Sequence, residues 1–240
     1  MCGIIKRGEL LKRMFSRSLE RVKKMLPIYI MYDSGLSEFE RQAVVDAFTE
    51  LDRIFPERRF VCYGDEPWDE GFLHCSADWC VEHARTVSVN GTTQLDAGSV
   101  CAMLDGELWQ RNHPHISVMI VSHDLTAMTL NGYLNFCFGF ARGAATVLSV
   151  ARYRDLSNSD RYLAIKTVIW HEVGHIFGMA SNPARRNTEY RLGMHCTSPG
   201  CVMRQSMSLT PLVHRARNIA KMGRIFCPLC LADARRNQSR

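Results

Sequence analysis

The run His171-Glu172-Val173-Gly174-His175 constrains this chain more than any other stretch. It sits inside residues 159–177, whose pattern predicts the clearest helix of the sequence, with Gly178 placed to stop it just past the C-cap. Four residues is just over one turn, so both imidazoles leave the same face and can share one metal ion. Glu172 lies about 100° round the helix from His171, where it can address a water on that metal without being a ligand. Zinc lowers the pKa of such a water, and a neighbouring carboxylate can take its proton as the water attacks a carbonyl.

Gly178 extends the run to HExxHxxG, the opening of the metzincin signature, in which a third ligand follows three residues after the glycine. That position is Ser181 here, and serine is a poor zinc ligand. A histidine does occur later, in Gly193-Met194-His195-Cys196, followed by Cys201-Val202-Met203 and then by Cys227-Pro228-Leu229-Cys230. At these residues the chain resembles the archaemetzincin family, whose pattern runs HExxHxxGxxHC, x4-C-x-M and a downstream CxxC. Each element is present in order. The departures are an insertion of about 14 residues within 180–193 and a longer spacer before the CxxC. Leu134 to Gly139 and Ala145 to Tyr153 also resemble the strand pair that precedes the family's zinc helix. The likeness covers roughly residues 116–232, with the fold expected to be shared from residue 27.

The resemblance implies a zinc-dependent peptidase acting on peptide or protein substrates, with two zinc ions per chain. His171, His175 and His195 would hold a catalytic zinc, Glu172 would be the general base, and Met203 would be the methionine of the turn beneath the site. Cys196, Cys201, Cys227 and Cys230 would hold a structural zinc. It also implies an α/β fold: a mixed, mostly parallel twisted sheet with an antiparallel edge strand, packed on helices that include the HExxH helix, plus a small zinc-stabilised C-terminal part. The expected edge is Leu134 to Phe140, which would align a peptide by β-augmentation.

The four cysteines support a metal site on their own chemistry. Paired thiolates at these short spacings form two half-sites that close a tetrahedron. Adjacent His195 and Cys196 can serve different metals because neighbouring side chains in an extended segment point opposite ways. The tail after residue 180 shows little apolar patterning, so metal is expected to tie it down. For His195 to reach the zinc, the insertion must bulge out as a surface loop, and Arg185, Arg186, Asn187, Glu189 and Arg191 are polar enough for that. If it packs into the cleft instead, Asn182 or Glu189 is the substitute ligand.

Other readings of these residues stand beside this one. Cys227-Pro-Leu-Cys230 alone is compatible with a redox pair. The Cys₄ set among Arg204, Arg215, Arg217, Lys221 and Arg224 is compatible with a nucleic-acid-binding ribbon, although only Phe226 offers a nearby stacking ring. A non-catalytic zinc-binding interaction module is therefore the competing class. His74-Cys75 with Cys80 and His83 is a weaker candidate cluster, while Cys2, Cys62, Cys101 and Cys137 read as packing.

Among 240 residues, ten are cysteine. Lys6, Arg7 and Glu9 are followed by no apolar block, so no secretory leader is expected, and reduced thiols in a cytoplasmic setting are. The most apolar stretch, Leu134 to Val150, is interrupted by Arg142, so no transmembrane helix is expected. The net charge of +6 is unevenly placed: +6 over residues 1–26, −9 over 27–183 and +9 over 184–240. Four thiolates on Zn²⁺ would offset about two charges of the tail, so nucleic acid is not the expected partner. Residues 1–26 read as a basic amphipathic helix ahead of a single metallopeptidase domain over 27–240, and the sequence sets no oligomeric state.

Strands are expected at 28–32, 60–63, 86–89, 116–121, 134–140 and 145–151, and helices at 37–54, 94–105, 159–177 and 211–222. Residues 64–85 are expected to be irregular.

Overall fold

Ile116 to Val121 is apolar at every position except Ser117, a run suited to a strand covered on both faces. In the computed structural model it is the centre of a five-stranded sheet. The described residues are 26–68, 76–182, 184–190 and 192–238. The expected N-terminal helix, except Leu26, lies outside them, as do Cys2, His74, Cys75 and Arg191.

In chain order the first elements are β1 (Ile28–Tyr32), α1 (Glu38–Ile54), β2 (Phe60–Gly64), α2 (Ala77–His83), β3 (Thr86–Val89), β4 (Thr92–Asp96), α3 (Ala97–Gly106), α4 (Leu108–Asn112) and β5 (Ile116–Val121). Then come β6 (Leu125–Thr126), β7 (Met128–Thr129), β8 (Gly132–Tyr133), β9 (Gly139–Arg142), β10 (Ala145–Ser149), a 3₁₀ turn at Ala151–Tyr153 and α5 (Asn158–Ile176). The chain finishes with β11 (Thr188–Tyr190), β12 (Met194–Cys196), α6 (Leu209–Met222) and α7 (Pro228–Gln238).

The main sheet has the order β2-β1-β5-β10-β9, parallel except for the antiparallel pair β10/β9 at its edge. Side chains alternate across it. Val118 and Ile120 join one core with α1, α5 and the C-terminal part, while Met119 and Val121 join another with α2 and α3.

α1 starts with a capping box, Ser37 and Glu40 each accepting from the other's backbone N–H. Glu40 also takes Arg161 and Arg154, while Tyr162 and Lys166 bond Asp46 and Glu50. Trp170 Nε1 donates to the Ala47 carbonyl at 3.1 Å. These links, with the apolar seam, fix the roll of α5 about its axis and so the direction in which its histidines point.

Several expectations are corrected. The expected edge strand 134–140 is displaced: the strand paired with β10 is Gly139–Arg142, and Leu134–Phe138 makes only an isolated bridge at Cys137. Its apolar residues serve the cleft instead of the ladder. Residues 64–85 contain α2, whose cap Ser76 accepts from Trp79 N. The helix expected over 94–105 begins only at Ala97, because Thr92–Asp96 pairs with β3 around the Asn90-Gly91 turn. Both turn residues have positive φ, as a tight hairpin needs.

The tail is more regular than expected. It adds a hairpin, a fourteen-residue helix and α7, and Val202, Met203, Leu212, Ile219, Phe226 and Ala234 enter the main core. The insertion is not simply a surface loop: it folds as β11 against β12 with Glu189 opposite His195, and Arg185 turns inward with 6% of its side chain exposed. Cys62 is exposed on β2 instead of packed.

Candidate metal centre and cleft

α5 delivers His171 and His175 one turn apart, and β12 brings His195 across from the hairpin. The three candidate ligand nitrogens lie within 4.8 Å of one another. His171 Nδ1 sits 2.8 Å from the Val202 carbonyl and His195 Nδ1 sits 3.0 Å from the Gly193 carbonyl. A carbonyl only accepts, so each Nδ1 carries the proton and each Nε2 keeps its lone pair for a metal. Nε2 of His175 and Nε2 of His171 are 3.2 Å apart. Two nitrogens about 2.0–2.1 Å from a tetrahedral zinc are separated by about 3.3–3.4 Å, so the pair fits.

Burial lowers all three histidines below the ordinary range, and His175 falls to about 4, with His195 adding to the effect. They are therefore neutral, as ligands must be.

The Glu172 carboxyl lies against β9 and lines the same cleft as His171. A Cβ built on Gly139 would lie 2.8 Å from the Glu172 carboxyl carbon, so only glycine lets the edge strand pass so close. Burial pushes this carboxyl up to about 7. Beneath the histidines, a Cβ on Gly174 would lie 2.2 Å from Sδ of Met203, which is fully buried.

The four cysteines also converge. Cys196 and Cys227 sulfurs are 3.8 Å apart, and Cys201 and Cys230 are 3.7 Å apart. Sulfurs about 2.3 Å from a tetrahedral zinc lie about 3.8 Å apart, so this set fits zinc as well. Hydrogen bonds from Cys201 and Cys230 hold Cys196 well below the usual thiol range, and the Cys201 thiol is pushed up to about 12.

Backbone N–H groups of Ser198 and Cys227 point at Cys196 and Cys201, both at 3.4 Å. Arg185 reaches Cys196 at 3.2 Å and Cys230 at 3.4 Å while pairing with buried Asp233. Cys227-x-x-Cys230 does open a helix, so local structure does not separate it from a redox pair. The convergence of all four sulfurs within 4.8 Å of one another favours a metal set.

A cleft of about 310 Å³ runs past His171 and Glu172 between β9 and the C-terminal part. Exposed Met128, Leu192 and Met207 rim it.

No family model matches the chain. In sequence, 110 residues, 45% of the chain, align at 34% identity with archaemetzincin of Methanopyrus kandleri (strain AV19), and the alignment spans 50% of that relative's length. The crystal structure of archaemetzincin from the same organism matches with a TM-score of 0.62, covering 90% of this chain and 97% of that one at 24% identity. The chain is archaemetzincin-like in sequence and in fold.

In this archaemetzincin-like frame the seven candidate metal-ligating residues, His171, His175, His195, Cys196, Cys201, Cys227 and Cys230, form two neighbouring clusters, joined at the His195-Cys196 peptide. Cys80 and His83 form no such group among the described residues. Of the basic tail residues, Arg215 turns inward and Arg217 pairs with Asp160 at 2.6 Å. Gly139, Arg185 and Arg215 were missed. A glycine within a strand-like run was a usable signal for the first. The two arginines had none, since their partners are distant in sequence. No helix among the described residues is long and apolar enough to cross a membrane.

Proposed function

We propose that the chain is a zinc-dependent peptidase, its catalytic zinc held by His171, His175 and His195 and a second, structural zinc held by Cys196, Cys201, Cys227 and Cys230. The observation that carries this reading is the position of Glu172: adjacent in sequence to a convergent neutral three-histidine set, and pressed against Gly139 of the sheet's antiparallel edge. A zinc ion bound there supplies Lewis acidity toward a carbonyl and makes a water acidic enough to attack at neutral pH.

The chain's own residues do the rest. The unpaired side of β9 lies along the cleft and offers backbone N–H and C=O groups to an extended peptide, fixing its direction. Glu172 accepts the proton of the attacking water on its carboxylate and returns it to the departing amine nitrogen. Its buried position suits both roles, since a carboxyl near 7 exchanges a proton readily at neutral pH. Val202 and Gly193 carbonyls hold the imidazole tautomers, and Met203 supports the helix from below. The Cys₄ zinc anchors the strand that presents His195. A reducing compartment such as the cytoplasm suits the four thiolates.

Glu172→Gln is expected to abolish peptide turnover while two zinc ions per chain remain by metal analysis; retained turnover would sink the mechanism. Loss of one of them on His195→Ala supports the assignment. A single zinc insensitive to His171 and His195 would instead favour a purely structural metal in an interaction module.

A further inference from the structure

Next to Glu172 the cleft has apolar walls from Val168, Val202 and Leu212 and a polar end made by Arg215. Arg215 is 8% exposed. Its Nη1 donates to the Arg204 carbonyl and its Nη2 to the Gln205 carbonyl at 2.8 Å. A guanidinium has five N–H donors, so most of this one's capacity is uncommitted. The charged groups acting on it are Arg204, which repels, and the Cys201 sulfur; no carboxylate among the described residues pairs with it. A buried cation without a counter-ion is strongly disfavoured unless something supplies the negative charge.

Three more buried atoms at the same cleft have no hydrogen-bond partner among the described residues: Thr167 Oγ1, Gln205 Oε1 and Ser206 Oγ. Thr167 is 1% exposed and lies one turn before His171. Buried polar atoms are rarely left unpaired, and here their residues line the same cleft as a cation that no carboxylate among the described residues pairs with.

Resting on the peptidase reading, we propose that this pocket is a specificity site for a carboxylate of the substrate, either an acidic side chain or the free C-terminus. Arg215 supplies the counter-charge and a planar pair of donors. The hydroxyls of Thr167 and Ser206 donate to the same anion, and Gln205 Oε1 accepts from a peptide N–H. The apolar walls take the methylenes that lead to the charge. Because Arg215 also ties the chain together at Arg204 and Gln205, a merely structural role is the alternative, and ligand discrimination separates the two.

The test is calorimetric binding to the full zinc-loaded chain carrying Glu172→Gln, which holds peptides without turning them over. The probes are acetyl-Ala-Ala-Glu-amide against its Gln counterpart, and acetyl-Ala-Ala-Ala as free acid against its amide. At least one acid is expected to bind about tenfold or more tighter than its neutral match. A preference in the first pair assigns the pocket to side chains, and in the second to C-termini. Arg215→Met should erase the preference and Arg215→Lys should keep part of it. Equal binding within both pairs, no binding of either acid, or a preference that survives Arg215→Met overturns the proposal. If Arg215→Met does not fold, the matched pairs decide alone. A chain that cleaves no peptide yet shows the Arg215-dependent preference would refute the peptidase reading and leave the pocket standing.

Discussion

Gly174 and Met203 are packed so closely that a single methyl group on the glycine would lie 2.2 Å from the methionine sulfur. The glycine sits between the two histidines of α5, and the methionine ends the segment that follows Cys201. The contact is where the helix and the C-terminal part register against each other. In an exposed helix Gly→Ala stabilises by about 1 kcal/mol. Here the sign should reverse. Gly174→Ala is expected to destabilise by about 1–3 kcal/mol through overpacking, read as a lower denaturation midpoint, and to alter the visible spectrum of cobalt at the histidine site. An unchanged spectrum with raised stability would show that Met203 simply moves aside.

Gly139 has the same relation to Glu172, but on the substrate side. Gly139→Ala places a methyl 2.8 Å from the carboxylate and its methylene. Peptide turnover is expected to fall at least about tenfold, the effect of misplacing a catalytic group by a fraction of a turn. Because β9 is an edge strand, thermal stability should change little. Measuring kcat and melting temperature on the same preparation separates the two effects.

Arg185 and Asp233 form an ion pair with 6% and 2% of their side chains exposed. Removing one partner of such a pair costs about 3–5 kcal/mol because the other charge stays buried. Arg185→Met is therefore expected to lower stability and to speed zinc transfer from the Cys₄ site to a chromogenic chelator. The double change with Asp233→Leu should recover much of the stability but not the zinc retention, since the thiolates still lack their cation. Full recovery of both would show that Arg185 serves only Asp233.

Burial alone would raise the Glu40 carboxyl, but hydrogen bonds from Arg161, Ser37 and Arg154 outweigh it and hold it below the usual glutamate range. A depressed carboxylate contributes stability that is present above its unfolded pKa, about 4.3, and is lost as pH falls through its folded value. Urea midpoints measured from pH 6 downward should show this loss below about pH 4.3. In Glu40→Gln the acid limb should be flatter, from a lower starting stability. An acid limb identical to that of the unchanged chain would remove Glu40 from the account.

The parallel sheet, the α5 helix and both clusters of candidate ligands were legible because each depends on short-range pattern. β5 shows as an unbroken apolar run, α5 as period and cap, and the ligands as residue types at helix or loop spacing. The edge strand was misplaced by about five residues because Leu134–Phe138 is apolar for a different reason: Phe136 and Phe138 face the cleft. Burial alone does not distinguish a ladder from a binding wall. α7 was missed because its exposed face is basic and polar and its start is the Cys227-x-x-Cys230 pair, so the usual apolar period is weak.

The chemistry available to this chain follows from local spacing: two imidazoles one turn apart, a carboxylate beside them and two half-sites of paired thiols need no knowledge of the rest of the fold. What these groups face required the assembled molecule. The third histidine arrives on a hairpin built from the insertion, Arg185 just before that hairpin turns onto the sulfurs, and Gly139 and Arg215 both come to line the cleft. The reason is physical. Ligand spacing is set by a few backbone dihedrals, whereas electrostatic partners and close approaches are set by which surfaces pack, and that depends on the whole core at once.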